Sequence, residues 1–135
     1  MFKLAQDSKG QWASTILTSF SNTKGRAGYS PYSGLALDPN GSVYGTTCHG
    51  GVHGQGVIFK LVPQNNGTWT LKFIRSFTGG RDGGAPGGVI LDNSGNLLGI
   101  ADNAGFGGCL NDNDGLGLVF CVSPVQTSMQ GPNER

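Results

Sequence analysis

The chain has 135 residues, a formal net charge of +1 and 13% charged residues, with no run of basic side chains. This length fits one domain with a modest core. A charge this close to zero gives no electrostatic reason to expect nucleic acid or a membrane surface as a partner, and neither is predicted. Glycine is unusually frequent, at 25 residues with no G-X-Y period, which excludes collagen. Together with many short apolar runs, it predicts an all-β fold with tight turns.

Neither a membrane span nor an export signal is predicted. No apolar segment is long enough to cross a bilayer, and the start, MFKLAQDSKGQW, has no apolar stretch of signal-peptide length. The three cysteines, Cys48, Cys109 and Cys121, allow at most one internal disulfide. Two states remain open: a disulfide between Cys109 and Cys121, the nearer pair along the chain, or three free thiols.

The predicted strands fall into three consecutive units. The first unit, 1–20, has two strands, MFKLA and WASTILTSF. The second unit, 33–77, has four, namely SGLALD, SVYGTT, VIFKLV and TWTLKFIRSF. The third unit, 87–124, has three, namely GGVILD, NLLGIA and LVFCVS. The units form one predicted domain over 1–124, and a polar C-terminal tail at 125–135 follows it.

The same residues return in the same order from one unit to the next, as in a repeat protein. FKL recurs after 57 residues, SGLALDPNGSVYGTT recurs as GGVILDNSGNLLGIA after 54, and GVIFKLVP recurs as GLVFCVSP after 61. Trp12 and Trp69 also share one position of the repeat. Their recurrence favours a role in packing over a role in stacking on sugars.

Two turns recur as well, with the sequences DPNG and DNSG. Asp38 and Asp92 begin these turns, and each is expected to accept backbone hydrogen bonds through a side-chain oxygen. Gly41 and Gly95 are expected to take positive φ.

Four antiparallel strands in a unit of about 55 residues are typical of a β-propeller blade. With its partial first and last units, the chain carries about two blades. Each blade has apolar faces that need neighbours, so we expect a homo-oligomer to complete the fold. A cyclic trimer would have six blades and a cyclic tetramer eight.

The segments YGTTCHGGVHGQGVIFKLVP and SFTGGRDGGAPGGVILDNSGNLLGIA resemble the GloVer tandem repeat of large bacterial propeller-like proteins. The resemblance covers nearly the whole chain. It implies the propeller-like architecture and, because family members often carry export or anchoring signals, an exported or cell-envelope parent protein. It implies no catalytic residues.

Residues 46–56, TTCHGGVHGQG, contain Cys48 and both histidines, His49 and His53. These side chains are zinc ligands in many proteins, and a cysteine beside a histidine can act as a nucleophile. The next unit keeps most of the glycines but has Asp102 where the second has Cys48. Two interpretations remain open: a structural glycine loop, or a zinc or catalytic site that uses the cysteine, the histidines and Asp102.

A second candidate metal site lies in the insertion that lengthens the third unit. Asn111, Asp112, Asn113 and Asp114 supply oxygen ligands of the kind that calcium prefers. An EF-hand is excluded because its twelfth position would be Cys121. A looser calcium site and a polar solvent loop both remain open.

Candidate ligand-binding residues lie in the loops that enter the second and third units. Arg81 and Asp82 precede the third unit, and Tyr29 and Tyr32 precede the second. If these loops share one mouth of a propeller, the charged pair would hold a small polar ligand and the tyrosines would stack on a glycan.

Two classes of function follow from these residues. The leading hypothesis is a binding or assembly module for a small polar ligand, a glycan or a protein, because nothing in the sequence demands a catalytic group. The alternative is a calcium- or zinc-dependent hydrolase acting on an ester or lactone, with its site in the glycine-rich loops. No G-x-S-x-G, H-E-x-x-H, P-loop or dinucleotide fingerprint is present.

Overall fold

A computed structural model describes residues 1–21, 28–102 and 117–123. These residues form three antiparallel sheets and contain no helix. The first sheet contains β1 (Phe2–Gln6) and β2 (Trp12–Ile16). The second contains β3 (Ala36–Leu37), β4 (Val43–Thr47), β5 (Val57–Pro63) and β6 (Trp69–Ser76). The third contains β7 (Pro86–Leu91), β8 (Leu97–Ala101) and β9 (Leu118–Val122). The prediction of an all-β chain with strands grouped two, four and three is confirmed.

The cross-strand registers repeat at the same shifts as the sequence. Partners in one sheet are equivalent to partners in the next after 57, 54 or 61 residues. The pair Phe2–Ile16 is equivalent to Phe59–Phe73. In the same way, Ala36–Tyr44 is equivalent to Ile90–Leu98, and Val43–Leu61 is equivalent to Leu97–Val122. Each side chain therefore has a counterpart on the same face of the neighbouring sheet.

The tight turns have the predicted chemistry. Asp38 Oδ1 accepts the backbone N–H groups of Asn40 and Ser42 at 3.0 and 2.8 Å, and Asp92 Oδ1 makes the same bonds one unit later. Gly41 and Gly95 have φ values of 77° and 80°, as the sequence predicts. The strand ends are therefore fixed by local hydrogen bonds as well as by sheet pairing.

Asp7 makes a third turn of this kind between β1 and β2. Its Oδ1 accepts the backbone N–H groups of Lys9 and Gln11 at 2.8 and 2.9 Å, and Gly10 has a φ of 77°. All three units are thus turned by the same device at the same end of the strands.

Successive side chains of a strand point to opposite sides, so each sheet has two faces. Both faces of the second sheet are covered. One face packs against residues at the end of the first hairpin, in a cluster of Val43, Phe59, Leu61, Trp69 and Leu71 with Met1, Leu17 and Phe20. The other face packs against the third sheet, in a cluster built on Tyr44, Ile58, Phe77, Val89, Leu97 and Ala101. The core therefore comprises one interface between the second and third sheets and one cluster in which residues flanking the first hairpin, rather than its exposed strands, cover the second sheet.

One pair of phenyl rings recurs in both interfaces. Phe20 lies 4.8 Å from Phe59, centroid to centroid, and Phe77 lies 5.2 Å from Phe120. Phe77 is the repeat equivalent of Phe20, and Phe120 is the equivalent of Phe59. The third sheet thus packs on the second through residues equivalent to those that join the end of the first hairpin to the second sheet.

The cysteines differ from both predicted states. Cys48 is buried and disulfide-bonded, whereas Cys121 is a free, exposed thiol. The predicted pairing of Cys109 with Cys121 is therefore wrong, and so is the alternative of three free thiols. Cys109 itself lies outside the described residues. Proximity along the chain was misleading because Cys48 lies in a buried loop while Cys121 points away from the core on β9.

No helix in the described ranges is long and apolar enough to cross a bilayer.

Candidate functional site

The histidine-containing segment packs against the tyrosine-containing loop. Tyr29 and His49 form an isolated antiparallel bridge, with their backbone N–H groups donating to each other's carbonyl oxygens at 2.9 and 3.3 Å. Their rings lie 5.1 Å apart. Two residues singled out from the sequence, one as a candidate catalytic residue and one as a ligand contact, are therefore neighbours.

The glycines between the second and third strands of this unit have a structural role. Gly50 has a φ of 83°, and a Cβ at this position would lie 2.5 Å from the Cα of Gly28. Gly56 has a φ of 93°, and its Cβ would meet the carbonyl oxygens of Thr47 and Cys48. Only glycine permits these close backbone approaches. This supports the interpretation of residues 46–56 as a structural glycine loop.

The other candidate catalytic residues of this loop are dispersed. His53 is exposed in a tight turn between Gly51 and Gly54. Cys48 has no thiol in the disulfide form, so a thiolate nucleophile or zinc ligand would require its reduction. The described part of the chain contains no group of three or more His, Cys, Asp or Glu side chains placed to hold a metal ion.

Asp82 closes its own loop. Its carboxylate accepts hydrogen bonds from the backbone and hydroxyl of Thr78, and Arg75 forms an ion pair with it at 3.0 Å. Partial burial raises the pKa of the Asp82 carboxyl, but the bonds from Thr78 and Arg75 outweigh this effect and lower the pKa below its ordinary value. The carboxylate is thus engaged within the protein, while Arg81 is exposed beside it.

Tyr32 and Asp102 interact electrostatically near the surface. Partial burial raises the pKa of the Tyr32 hydroxyl, and the negative charge of Asp102 raises it further. Tyr32 remains 57% exposed, so its ring is available to solvent. The candidate calcium ligands Asn111, Asp112, Asn113 and Asp114 lie outside the described residues.

The sequence did not identify the partners of several of these residues. Arg75 and Thr78 hold Asp82, and the side chain of Gln55 packs against Gly79 and Gly84. No motif marks these residues, because each acts through a contact that depends on the folded conformation of its loop.

Two apolar sheet faces are exposed among the described residues. The first, which we call the N-terminal face, consists of Phe2 and Leu4 on β1 with Trp12 and Ile16 on β2. Their alternation and pairing place all four side chains on one side of the hairpin. Each of them is more than half exposed.

The second, which we call the C-terminal face, lies on the outer side of the third sheet and consists of Ile90, Leu98, Ile100 and Val119. These residues line an apolar groove of about 620 Å³. Val119 is 77% exposed. Exposed apolar surface of this kind marks interaction sites in soluble proteins.

Comparison with known protein families, curated proteins and solved structures found no match to this chain.

Proposed function

We propose that the chain is an assembly module built from propeller-type blades, which associates by stacking the faces of its sheets. The GloVer resemblance of its repeats and the grouping of its strands support the propeller-type arrangement. Association of such modules into a closed ring would give each sheet a neighbour on both faces.

The recurrence of one interface is the observation that carries this proposal. The clusters on the two sides of the second sheet use equivalent residues, including the ring pairs Phe20–Phe59 and Phe77–Phe120. A set of equivalent residues that packs at two places within the chain is suited to further use between chains. The two exposed apolar faces are where such further packing would take place.

Light scattering coupled to size-exclusion chromatography tests the proposal. We expect a discrete assembly of several 14.0 kDa chains, with three or four chains corresponding to six or eight blades. Small-angle scattering or electron microscopy should then show a closed ring. A protein that remains a 14.0 kDa monomer across micromolar to millimolar concentrations would contradict the proposed function.

A further inference from the structure

We infer that the C-terminal face of one copy docks on the N-terminal face of a second copy, in a head-to-tail arrangement. This inference rests on the proposed assembly function and specifies which surfaces meet. It follows from comparing each exposed face with its buried equivalent inside the same chain.

The N-terminal face is the equivalent of a surface that the chain already covers. Phe2 corresponds to Phe59 and Leu4 to Leu61, each after 57 residues, and the strand registers agree. Phe59 and Leu61 are 0% exposed, because the end of the first hairpin packs on them. Phe2, in contrast, is 63% exposed. The same type of surface is thus covered in the second sheet and uncovered in the first.

The C-terminal face is the equivalent of the surface by which the second sheet packs on the third. Val119 corresponds to Ile58 after 61 residues, and Leu98 corresponds to Tyr44 after 54. Ile58 and Tyr44 are buried against the third sheet. The outer side of the third sheet therefore presents the surface that packs on a following sheet, but no following sheet covers it among the described residues.

The pairing is between unlike faces, because both internal interfaces join unlike faces. Between the second and third sheets, the face of Ile58 packs on the face that carries Phe120, the equivalent of Phe59. At the first hairpin, Met1, the equivalent of Ile58, packs on the Phe59 face of the second sheet. Repeating this relationship between chains places Val119 of one copy against Phe2 of another. Such a heterologous contact generates a ring when its rotation closes.

The shape and chemistry of the two faces agree with this pairing. The groove on the C-terminal face is lined by glycines as well as branched side chains, and a Cβ at one of them, Gly34, would meet no atom within 4 Å. The N-terminal face offers the bulky rings of Phe2 and Trp12. Neither face, as defined here, includes a charged residue, so docking would bury no unpaired charge.

Two singly blocked variants test the inference. Val119→Asp blocks only the C-terminal face, and Phe2→Asp blocks only the N-terminal face. We expect each variant alone to elute as a 14.0 kDa monomer. A contact needs one intact C-terminal face and one intact N-terminal face, and all copies of a single variant lack the same one. An equimolar mixture retains one intact face of each kind and should form a 1:1 heterodimer of twice that mass, seen by light scattering.

Val52→Asp is the matched control, because Val52 is a comparably exposed apolar residue in the loop between β4 and β5 and belongs to neither face. It should assemble as the wild type does. Ile100→Lys and Leu4→Lys provide second variants of the two faces, and circular dichroism establishes that each variant is folded.

The outcomes separate this inference from the proposed function. A monomeric wild type overturns both. A wild type that assembles while Phe2→Asp has no effect, or while the mixture gives no heterodimer, leaves the assembly function intact and overturns the head-to-tail pairing. In particular, if Val119→Asp loses assembly and Phe2→Asp keeps it, two C-terminal faces pack against each other.

Discussion

The ring of Phe59 lies over Gly45, its partner on the neighbouring strand, so closely that a Cβ at Gly45 would be 2.6 Å from the ring. Phe120 lies over Gly99 in the same way one unit later, at 2.5 Å. A glycine is unfavourable within a strand, but here it leaves the space that the ring fills. Each ring also contacts a phenylalanine at the end of the preceding unit, Phe20 for Phe59 and Phe77 for Phe120. One Gly–Phe pair thus packs within its own sheet and also joins that sheet to the preceding unit.

Adding a methyl group at this position should therefore destabilise the protein. We expect Gly45→Ala to lower the free energy of unfolding by about 2 kcal/mol, because Phe59 is fully buried and cannot move freely. Urea denaturation measures this effect. Gly34→Ala is the control, since its Cβ would meet nothing within 4 Å. Because Gly34 lines the groove of the C-terminal face, both variants are compared in the Phe2→Asp background, where no copy docks there, and Gly34→Ala should change stability by less than about 0.5 kcal/mol. In Gly45→Ala/Phe59→Leu the loss should be smaller than the sum of the single losses.

The glycine loop provides a second matched pair. Gly56 has a positive φ, and its Cβ would collide with the backbone, so we expect Gly56→Ala to cost about 3 kcal/mol. Gly54 also has a positive φ, but its Cβ would meet nothing within 4 Å, so Gly54→Ala should cost only about 1 kcal/mol. Equal losses in thermal unfolding would show that dihedral strain alone explains the glycines.

Stability should fall in acid. Burial raises the pKa of the Asp38 carboxyl, but the bonds from Ser42, Lys60 and Tyr44 outweigh burial and lower it below its ordinary 3.8; the pKa of Asp82 is lowered similarly. A folded-state pKa below the unfolded one gives stability that is complete above about pH 5 and is lost as the pH falls through the folded-state value. Urea midpoints between pH 7 and pH 2 measure this loss.

Removing one of these carboxylates should flatten the acid dependence. Asp38→Asn keeps an oxygen for the turn but loses the ion pair with Lys60 at 3.2 Å, so we expect about 1 kcal/mol less stability at pH 7 and a smaller decrease below pH 4. The two proteins should converge in acid. Parallel curves across the whole pH range would show that the Asp38 charge contributes nothing.

The cysteines should differ in reactivity. In denaturant without reductant, iodoacetamide should modify Cys121 and leave Cys48 unmodified, because only Cys121 is a free thiol among the described cysteines. Peptide mass spectrometry reads this directly. Reduction should lower the free energy of unfolding by about 2–4 kcal/mol, since the disulfide restricts the unfolded chain. Alkylation of Cys48 before reduction would contradict the disulfide.

The histidines distinguish an assembly module from a metal-dependent hydrolase. His53 is exposed in a turn, so we expect His53→Ala to change stability by less than about 0.5 kcal/mol and to leave assembly unchanged. Elemental analysis of the purified protein, and an ester and lactone screen with and without chelator, complete the test. Chelator-sensitive turnover that His53→Ala abolishes would favour the hydrolase.

Strand order and pairing could be predicted because the repeat fixes both. Once FKL recurs after 57 residues, the register of the first hairpin follows from that of the second sheet. The exposure of a face could not be predicted in the same way. Trp12 and Trp69 occupy one position of the repeat, yet Trp69 is partly buried against the core while Trp12 is 67% exposed. Burial depends on whether a neighbouring sheet is present, which the local pattern does not encode.

The candidate site was less predictable than the fold. Tyr44 is buried and its hydroxyl donates to Asp38, a contact that its position in a predicted strand does not reveal. Asp82 was a candidate ligand contact, but its carboxylate is held by Arg75 and Thr78. A residue type and its position in a loop do not reveal which partner the folded chain brings to it.

The second and third strands of a unit keep their pairing although the connection between them differs greatly in length. Thr47 pairs with Val57 in one unit and Ala101 with Leu118 in the next, while the intervening segments are 48–56 and 102–117. The turns at the opposite end, by contrast, are held to four residues by Asp38 and its equivalents. Insertions are therefore tolerated in the connection between the second and third strands of a unit. We expect a foreign peptide grafted between Val52 and Gly54 to be displayed at this end of the strands without altering the sheets.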